Sequence, residues 1–252
     1  KEKGPVRHRV DAPITVFDDR VLVGTMEGIL FALDTADGKE KWRADLKGVI
    51  RGAANYRRPT GADDIPRVYG IEQPAGRLLC LDAVTGKELW GAEGVDRSDA
   101  HPSVAENIVA FGSCASSLHL FDALTGKRLK DVPFGKDAQV AGGVAIYQST
   151  IFSGSRGGHV FAVEKETGKI RWNCLLSKAE IFSTPAVSEP WVVVSNEDGW
   201  VFGIDYATGE NRWRYDTGGY VSSPVIAGDT VFVAVDGELT GLKLTDGQKI
   251  WS

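Results

Sequence analysis

The chain repeats itself. Six fifteen-residue segments align without gaps: GILFALDTADGKEKW ending at Trp42, GRLLCLDAVTGKELW at Trp90, SSLHLFDALTGKRLK at Lys130, GHVFAVEKETGKIRW at Trp172, GWVFGIDYATGENRW at Trp213 and GELTGLKLTDGQKIW at Trp251. The end positions lie 48, 40, 42, 41 and 38 residues apart, so six units account for the 252 residues. A unit of that size cannot bury its apolar faces alone and must stack on its neighbours. One repeat domain over residues 1–252 is therefore expected, whether whole or part of a longer chain. Helical bundles and doubly wound sheets fall away.

Within each unit the grammar is that of short strands and tight turns. In the last one, Tyr220–Ala227 carries SSP, and Thr230–Val235 follows Gly228-Asp229. Leu239–Leu244 then follows Asp236-Gly237, and Lys249–Ser252 follows Asp246-Gly247. β-Branched and aromatic runs punctuated this way read as hairpins. No apolar period of 3.6 residues persists over ten positions. The expected fold is all-β: a six-bladed β-propeller of four-stranded antiparallel blades. The 30 glycines fit this, with Gly38, Gly86, Gly126, Gly168, Gly209 and Gly247 placed where the last turn of each blade needs positive φ. Asp34, Asp82, Asp122 and Asp205 precede those turns and can accept their backbone N–H groups; Glu164 and Lys243 depart from the pattern. The blade-ending indoles suit burial between blades. Lys130 breaks the series.

Charge and motifs narrow the function. Lys and Arg number 29 against 34 Asp and Glu, a formal charge of −5, which offers no basic footprint for nucleic acid. Apolar runs such as Val192–Val194 and Val231–Val235 are too short to span a bilayer. Lys1–Val10 is polar and basic, so no signal peptide is expected there. Cys80, Cys114 and Cys174 form no CxxC or adjacent pair, and a single disulfide among them stays open. The sequence holds no GxSxG, HExxH or Walker motif. Gly154–His159, GSRGGH, reads as a plain turn between strands rather than a phosphate loop. His8, His101, His119 and His159 sit in different units at no metal-ligand spacing.

The recurring AxDxxTGxxxW pattern with its upstream SSP resembles the PQQ-like, or quinoprotein-type, β-propeller repeat, over essentially the whole chain. The resemblance implies two kinds of relative. One is the cofactor-free scaffold, such as the lipoprotein of outer-membrane barrel assembly; the other is the eight-bladed pyrroloquinoline quinone dehydrogenase. The enzymes would need adjacent cysteines, a calcium site of carboxylate and amide oxygens, and a catalytic Asp. The chain has no adjacent cysteines and no local oxygen-ligand cluster beyond its turn aspartates. The resemblance thus favours a non-catalytic binding or scaffold module, with protein partners or a small ligand at the channel mouth. The resemblance implies no cofactor, no catalytic or metal residues, and a place in the periplasm or outside the cell. The rivals are a dehydrogenase domain holding the quinone with calcium, and the sensor domain of a larger receptor or kinase.

In such a fold the first strand of each blade lines the central channel. The loop between second and third strands opens on the same face as the lead-in to the first. Alignment on SSP makes Asp11, Arg51, His101, Arg156 and Asn196 the candidate contacts of a polar mouth. Blade 2 carries an insertion, Tyr56–Arg67, expected on the opposite face as a partner loop or a tolerated insert. Trp191 and Trp200 lie off the blade-ending position, with Trp200 a half-exposed contact aromatic. Lys3–Arg9 is expected to complete the sixth blade beside Trp251 and latch a closed ring; excision from a longer array would leave the same ends.

Overall fold

The computed structural model describes residues 7–252, which hold 24 strands in six four-stranded sheets and no helix. Blade 1 is β1 (Thr15–Phe17), β2 (Arg20–Gly24), β3 (Ile29–Asp34) and β4 (Glu40–Asp45); blade 2 is β5 (Asn55–Arg57), β6 (Arg67–Glu72), β7 (Arg77–Asp82) and β8 (Glu88–Gly91). Blade 3 is β9 (Ser103–Ala105), β10 (Ile108–Ser113), β11 (Ser117–Asp122) and β12 (Arg128–Pro133); blade 4 is β13 (Val144–Tyr147), β14 (Thr150–Gly154), β15 (His159–Glu164) and β16 (Ile170–Leu175). Blade 5 is β17 (Ala186–Ser188), β18 (Trp191–Ser195), β19 (Trp200–Asp205) and β20 (Asn211–Asp216); blade 6 is β21 (Val225–Ala227), β22 (Thr230–Val235), β23 (Glu238–Lys243) and β24 (Lys249–Trp251). Strand order within every blade follows the sequence. The chain folds as two compact units. The first runs through Ser113 and takes in His119–Leu129; the second comprises Cys114–Leu118 and Lys130–Ser252. The expected latch of Lys3–Arg9 lies mostly outside the described residues.

The turn between third and fourth strands is the same machine in every blade. Its glycines Gly38, Gly86, Gly126, Gly168, Gly209 and Gly247 have φ between 70° and 76°, the left-handed region where a Cβ is strained. Asp82 Oδ1 accepts the N–H groups of Val84 (2.7 Å) and Thr85 (3.1 Å), and Asp122 and Asp205 do the same for their own turns. Each aspartate supplies the acceptor that a bare reverse turn lacks.

These turns also seat the indoles. A Cβ built on Gly86 would lie 2.6 Å from the Trp42 ring; Gly126 meets Trp90 at 2.5 Å, Gly209 meets Trp172 at 2.6 Å and Gly247 meets Trp213 at 2.4 Å. The blade-ending Trp therefore lies flat on the turn of the next blade, and only glycine allows the approach. Trp42 Nε1 donates to the Ala83 carbonyl, Trp172 to Tyr206 and Trp213 to Leu244, at 2.9–3.0 Å. Trp42 and Trp213 are buried; Trp90 and Trp172 are half-buried, less than the sequence suggests.

At the seat on blade 4 the aliphatic stem of Lys130 lies over Gly168, with Val132 beside it. Lys130→Trp is expected to raise the unfolding free energy by about 1 kcal/mol, and with it the urea midpoint, because a ring replaces methylenes and Lys165 stands at the position whose carbonyl accepts the indole N–H in the other blades. An unchanged or lower midpoint would mean that Val132 already fills the seat.

Burial distinguishes the blades. In the first unit, β6 and β7 are buried at four successive positions, whereas β2 and β3 alternate: Leu22, Leu30 and Ala32 are buried while Val21, Val23, Phe31 and Leu33 are only half-buried. In the second unit, β18 and β19 are buried throughout their centres, and β22 alternates, with Val231 and Val233 buried and Phe232 partly open. A strand covered on both faces reads as a continuous apolar run, and one covered on a single face as period two. Ile14, Val16, Val225, Ile250 and Trp251 are exposed accordingly.

Candidate functional site

One end of the strands is organised by a repeated pair of backbone hydrogen bonds. The N–H at the start of the second-to-third strand loop donates to the lead-in of the same blade: Met26 to Arg9 O, Gln73 to Val49 O, Arg156 to Gln139 O, Glu197 to Glu180 O and Asp236 to Tyr220 O. The lead-in of the following blade then bonds back to the preceding loop, Ile50 to Thr25 O and Ile181 to Ser155 O. Lead-ins and loops thus share a face, as the alignment predicts. The SSP serines belong to this framework. Ser183 Oγ accepts the Ser195 N–H at 2.9 Å, and Ser222 Oγ accepts that of Ala234 at 2.9 Å. They clamp the first strand to the second and are not free hydroxyls.

In the first unit, Asp11 is exposed and held by Arg9, with N–O distances of 2.8 and 3.0 Å. His101 is half-buried, and burial lowers its pKa, so the imidazole is neutral at pH 7. Arg51 approaches Asp99 at 3.7 Å, while Arg97 grips the same carboxylate at 2.8 and 3.1 Å. With Val49, Gln73 and Pro74, Arg51, Arg97 and Asp99 line an open cleft of about 250 Å³. Sequence reading singles out Arg51 but neither Arg97 nor Asp99, which lie in an unremarkable RSD stretch.

In the second unit, Arg156 Nη1 donates to Glu180 at 2.8 Å, and its guanidinium stands 4.7 Å from the Phe182 ring centroid. Asn196 is a correction. It is buried, its Nδ2 donates to Ser177 Oγ, and its Oδ1 accepts the Trp200 N–H. Loop position gives the face on which a residue sits, but here the amide turns inward to brace the turn. Trp200 is half-buried beneath the Arg214 guanidinium, 4.9 Å from its ring.

Other reactive groups are enclosed. No disulfide joins Cys80, Cys114 or Cys174 to another described residue, and burial pushes Cys80 up to about 12 and Cys174 up to about 11. Ser113 Oγ lies 2.8 Å from His119 Nε2, with both side chains buried. The Arg128 guanidinium, a donor only, stands 3.4 Å from His119 Nδ1, which favours the tautomer that donates from Nε2 to the serine. That polarity is the reverse of nucleophile activation. Gly154–His159 forms the turn from β14 to β15, with the Gly158 N–H donating to Ser155 O. Among the described residues no group of three His, Cys, Asp or Glu side chains is placed to hold a metal ion.

Comparison with known proteins agrees with this architecture. The family described as "Outer membrane protein assembly factor BamB" matches residues 2–139 and again 115–252. The protein of that name from Burkholderia pseudomallei is 27% identical over 255 residues, which cover 96% of this chain and 65% of the relative. That from Shewanella oneidensis is 24% identical over 292 residues, covering 92% of this chain and 70% of the relative. This chain thus spans about two thirds of their length. The crystal structure of BamB from Moraxella catarrhalis superposes with a TM-score of 0.79 at 22% identity, covering 96% of this chain and 73% of that one. Its fold is shared. From the matched repeat, present in both halves, the chain belongs to the outer membrane protein assembly factor BamB family.

Proposed function

We propose that the chain is a non-catalytic, cofactor-free scaffold that holds protein partners during outer-membrane protein assembly, on the periplasmic side of that membrane. The observation that carries this reading is the family match, which runs through all six blades. The loop ends of each unit support it: Arg51 with Asp99 in the first and Arg156 with Glu180 in the second are set on segments fixed by backbone hydrogen bonds, an arrangement for recognition rather than for bond making.

The test is deletion of the gene, with outer-membrane proteins quantified and the tagged protein cross-linked in cells. Reduced outer-membrane protein content and a cross-linked assembly component are expected. Unchanged content with no such cross-link would refute the role. Turnover of an alcohol with added pyrroloquinoline quinone and calcium would refute the non-catalytic part.

A further inference from the structure

We propose that a small cavity at the loop end of blades 5 and 6 takes an arginine side chain from a protein partner; this deepens the scaffold reading and rests on it. The second unit already contains such an arrangement once. Arg156 and Glu197 hold equivalent places at the start of successive second-to-third strand loops, and Glu180 and Tyr220 hold equivalent places in successive lead-ins. From blade 4 to blade 5 the loop residue is a cation. Arg156 donates to Glu180 at 2.8 Å and stands 4.7 Å from the Phe182 ring centroid. From blade 5 to blade 6 the loop residue is Glu197 and the lead-in residue is Tyr220. Here the same two places supply a carboxylate and a ring, and no cation.

The cavity lies at that second junction. Phe182, Glu197 and Tyr220 line it together with Ser195, Asn196 and Ser222, and its volume is about 80 Å³. A small-molecule pocket runs to roughly 300–1,000 Å³, so this one suits a single side-chain head group. Its polar walls are fixed before binding. Ser195 Oγ donates to Ser222 O at 2.8 Å, Ser222 Oγ accepts the Ala234 N–H at 2.9 Å, and the Asn196 amide braces its own turn. The groups left over are those that recognise a cation. Glu197 is exposed and its carboxylate has no ion pair among the described residues, while Tyr220 is 70% exposed. Asp236 adds a second carboxylate without an ion pair among them, its Oδ1 accepting the Tyr220 N–H at 3.2 Å. A planar guanidinium answers both features, because it can stack on a ring while it forks onto a carboxylate. A lysine ammonium meets the charge but not the fork. Arginine is also among the side chains that most often anchor a protein interface in a small pocket.

The probe is an end-blocked, fluorescein-labelled pentapeptide, Thr-Val-Arg-Val-Thr, titrated against the whole chain by anisotropy at about 0.15 M salt, where distant charges are screened. Glu197→Gln and Tyr220→Ala are each expected to weaken binding about tenfold, and the citrulline analogue of the peptide to bind weaker by a similar factor. Both substitutions are at exposed side chains and should leave the urea midpoint near that of wild type, which separates lost recognition from lost fold. Asp229→Asn, the same charge change at the opposite end of blade 6, should leave binding unchanged. No binding at millimolar protein, or equal affinity for wild type and both cavity variants, would overturn the proposal. A loss with Asp229→Asn as large as with Glu197→Gln would overturn it too, leaving diffuse attraction to an acidic chain. So would displacement by guanidinium ion as effective as by unlabelled peptide, leaving a small-cation site. Cellular cross-linking is read separately: a partner captured equally by wild type and both cavity variants refutes the cavity and leaves the scaffold role standing. If wild type captures no partner, the scaffold role fails while the titration still decides the cavity.

Discussion

Trp213→Ala is expected to lower the unfolding free energy by about 3–5 kcal/mol, the range for removing a large buried aromatic. Trp251→Ala is expected to cost no more than about 1–2 kcal/mol. Both residues end a blade, and both rings lie over a glycine of the strand before them, Gly203 and Gly241. The difference is on the other side of the ring. Trp213 is 8% exposed, rests on the Gly247 turn and donates its Nε1–H to Leu244 O at 2.9 Å. Trp251 is 40% exposed and has Phe232 as its aromatic neighbour, at 5.8 Å. Removing Trp213 opens a cavity between two blades and orphans a carbonyl, whereas removing Trp251 mostly returns surface to water. Urea denaturation followed by far-UV circular dichroism measures both. Equal losses would show that the indole is held by its own blade, and the account of blade-to-blade packing would be wrong.

The parts of this molecule that could be read from sequence are those whose partners are local or recur. Each turn glycine sits four residues after the aspartate or its substitute, so a fixed spacing reveals it. The indole seats of Trp42, Trp90, Trp172 and Trp213 follow from the same register, because each of these rings meets the turn of the next blade. Side-chain direction is another matter. Asn196, in a loop of the second unit, is consumed in its own turn, while Arg51, in a lead-in of the first, turns to Asp99. Nothing in spacing separates them. The blade 2 insertion shows the limit most clearly. YRRPTGADDIPR reads as a charged loop open to partners, but two of its arginines and one aspartate are spent internally. Arg57 reaches Glu106 and Asn107, groups 49 and 50 residues further along the chain.

That internal lock predicts the second large effect. Arg57 is 5% exposed, and its guanidinium donates to Glu106 O at 2.6 Å, Asp64 Oδ2 at 2.7 Å and Asn107 Oδ1 at 3.0 Å. Asp64 also pairs with Arg67 and accepts the Thr60 N–H at 3.1 Å. Arg57→Ala withdraws one buried guanidinium from three acceptors at once while Asp64 keeps Arg67, so it is expected to cost about 3 kcal/mol at pH 7. Arg57→Lys keeps the charge but not the fork and should recover only part of the loss. The pH dependence has a definite sign. The Arg57 hydrogen bond, followed by the Thr60 N–H, holds the Asp64 carboxyl well below the usual carboxylate range. A carboxyl whose folded value lies below its unfolded one stabilises the fold fully above the unfolded value of about 3.9. That contribution drains away as pH falls toward the folded value. Wild type therefore loses this increment in acid, and Arg57→Ala, lacking the chief cause of the shift, has less to lose. The gap between their urea midpoints should be widest near neutrality and narrow below about pH 4. A gap that stays constant from neutral to acid pH would show that the cost of the substitution is packing, and that the Arg57–Asp64 charge pair contributes nothing to holding blade 2 against blade 3.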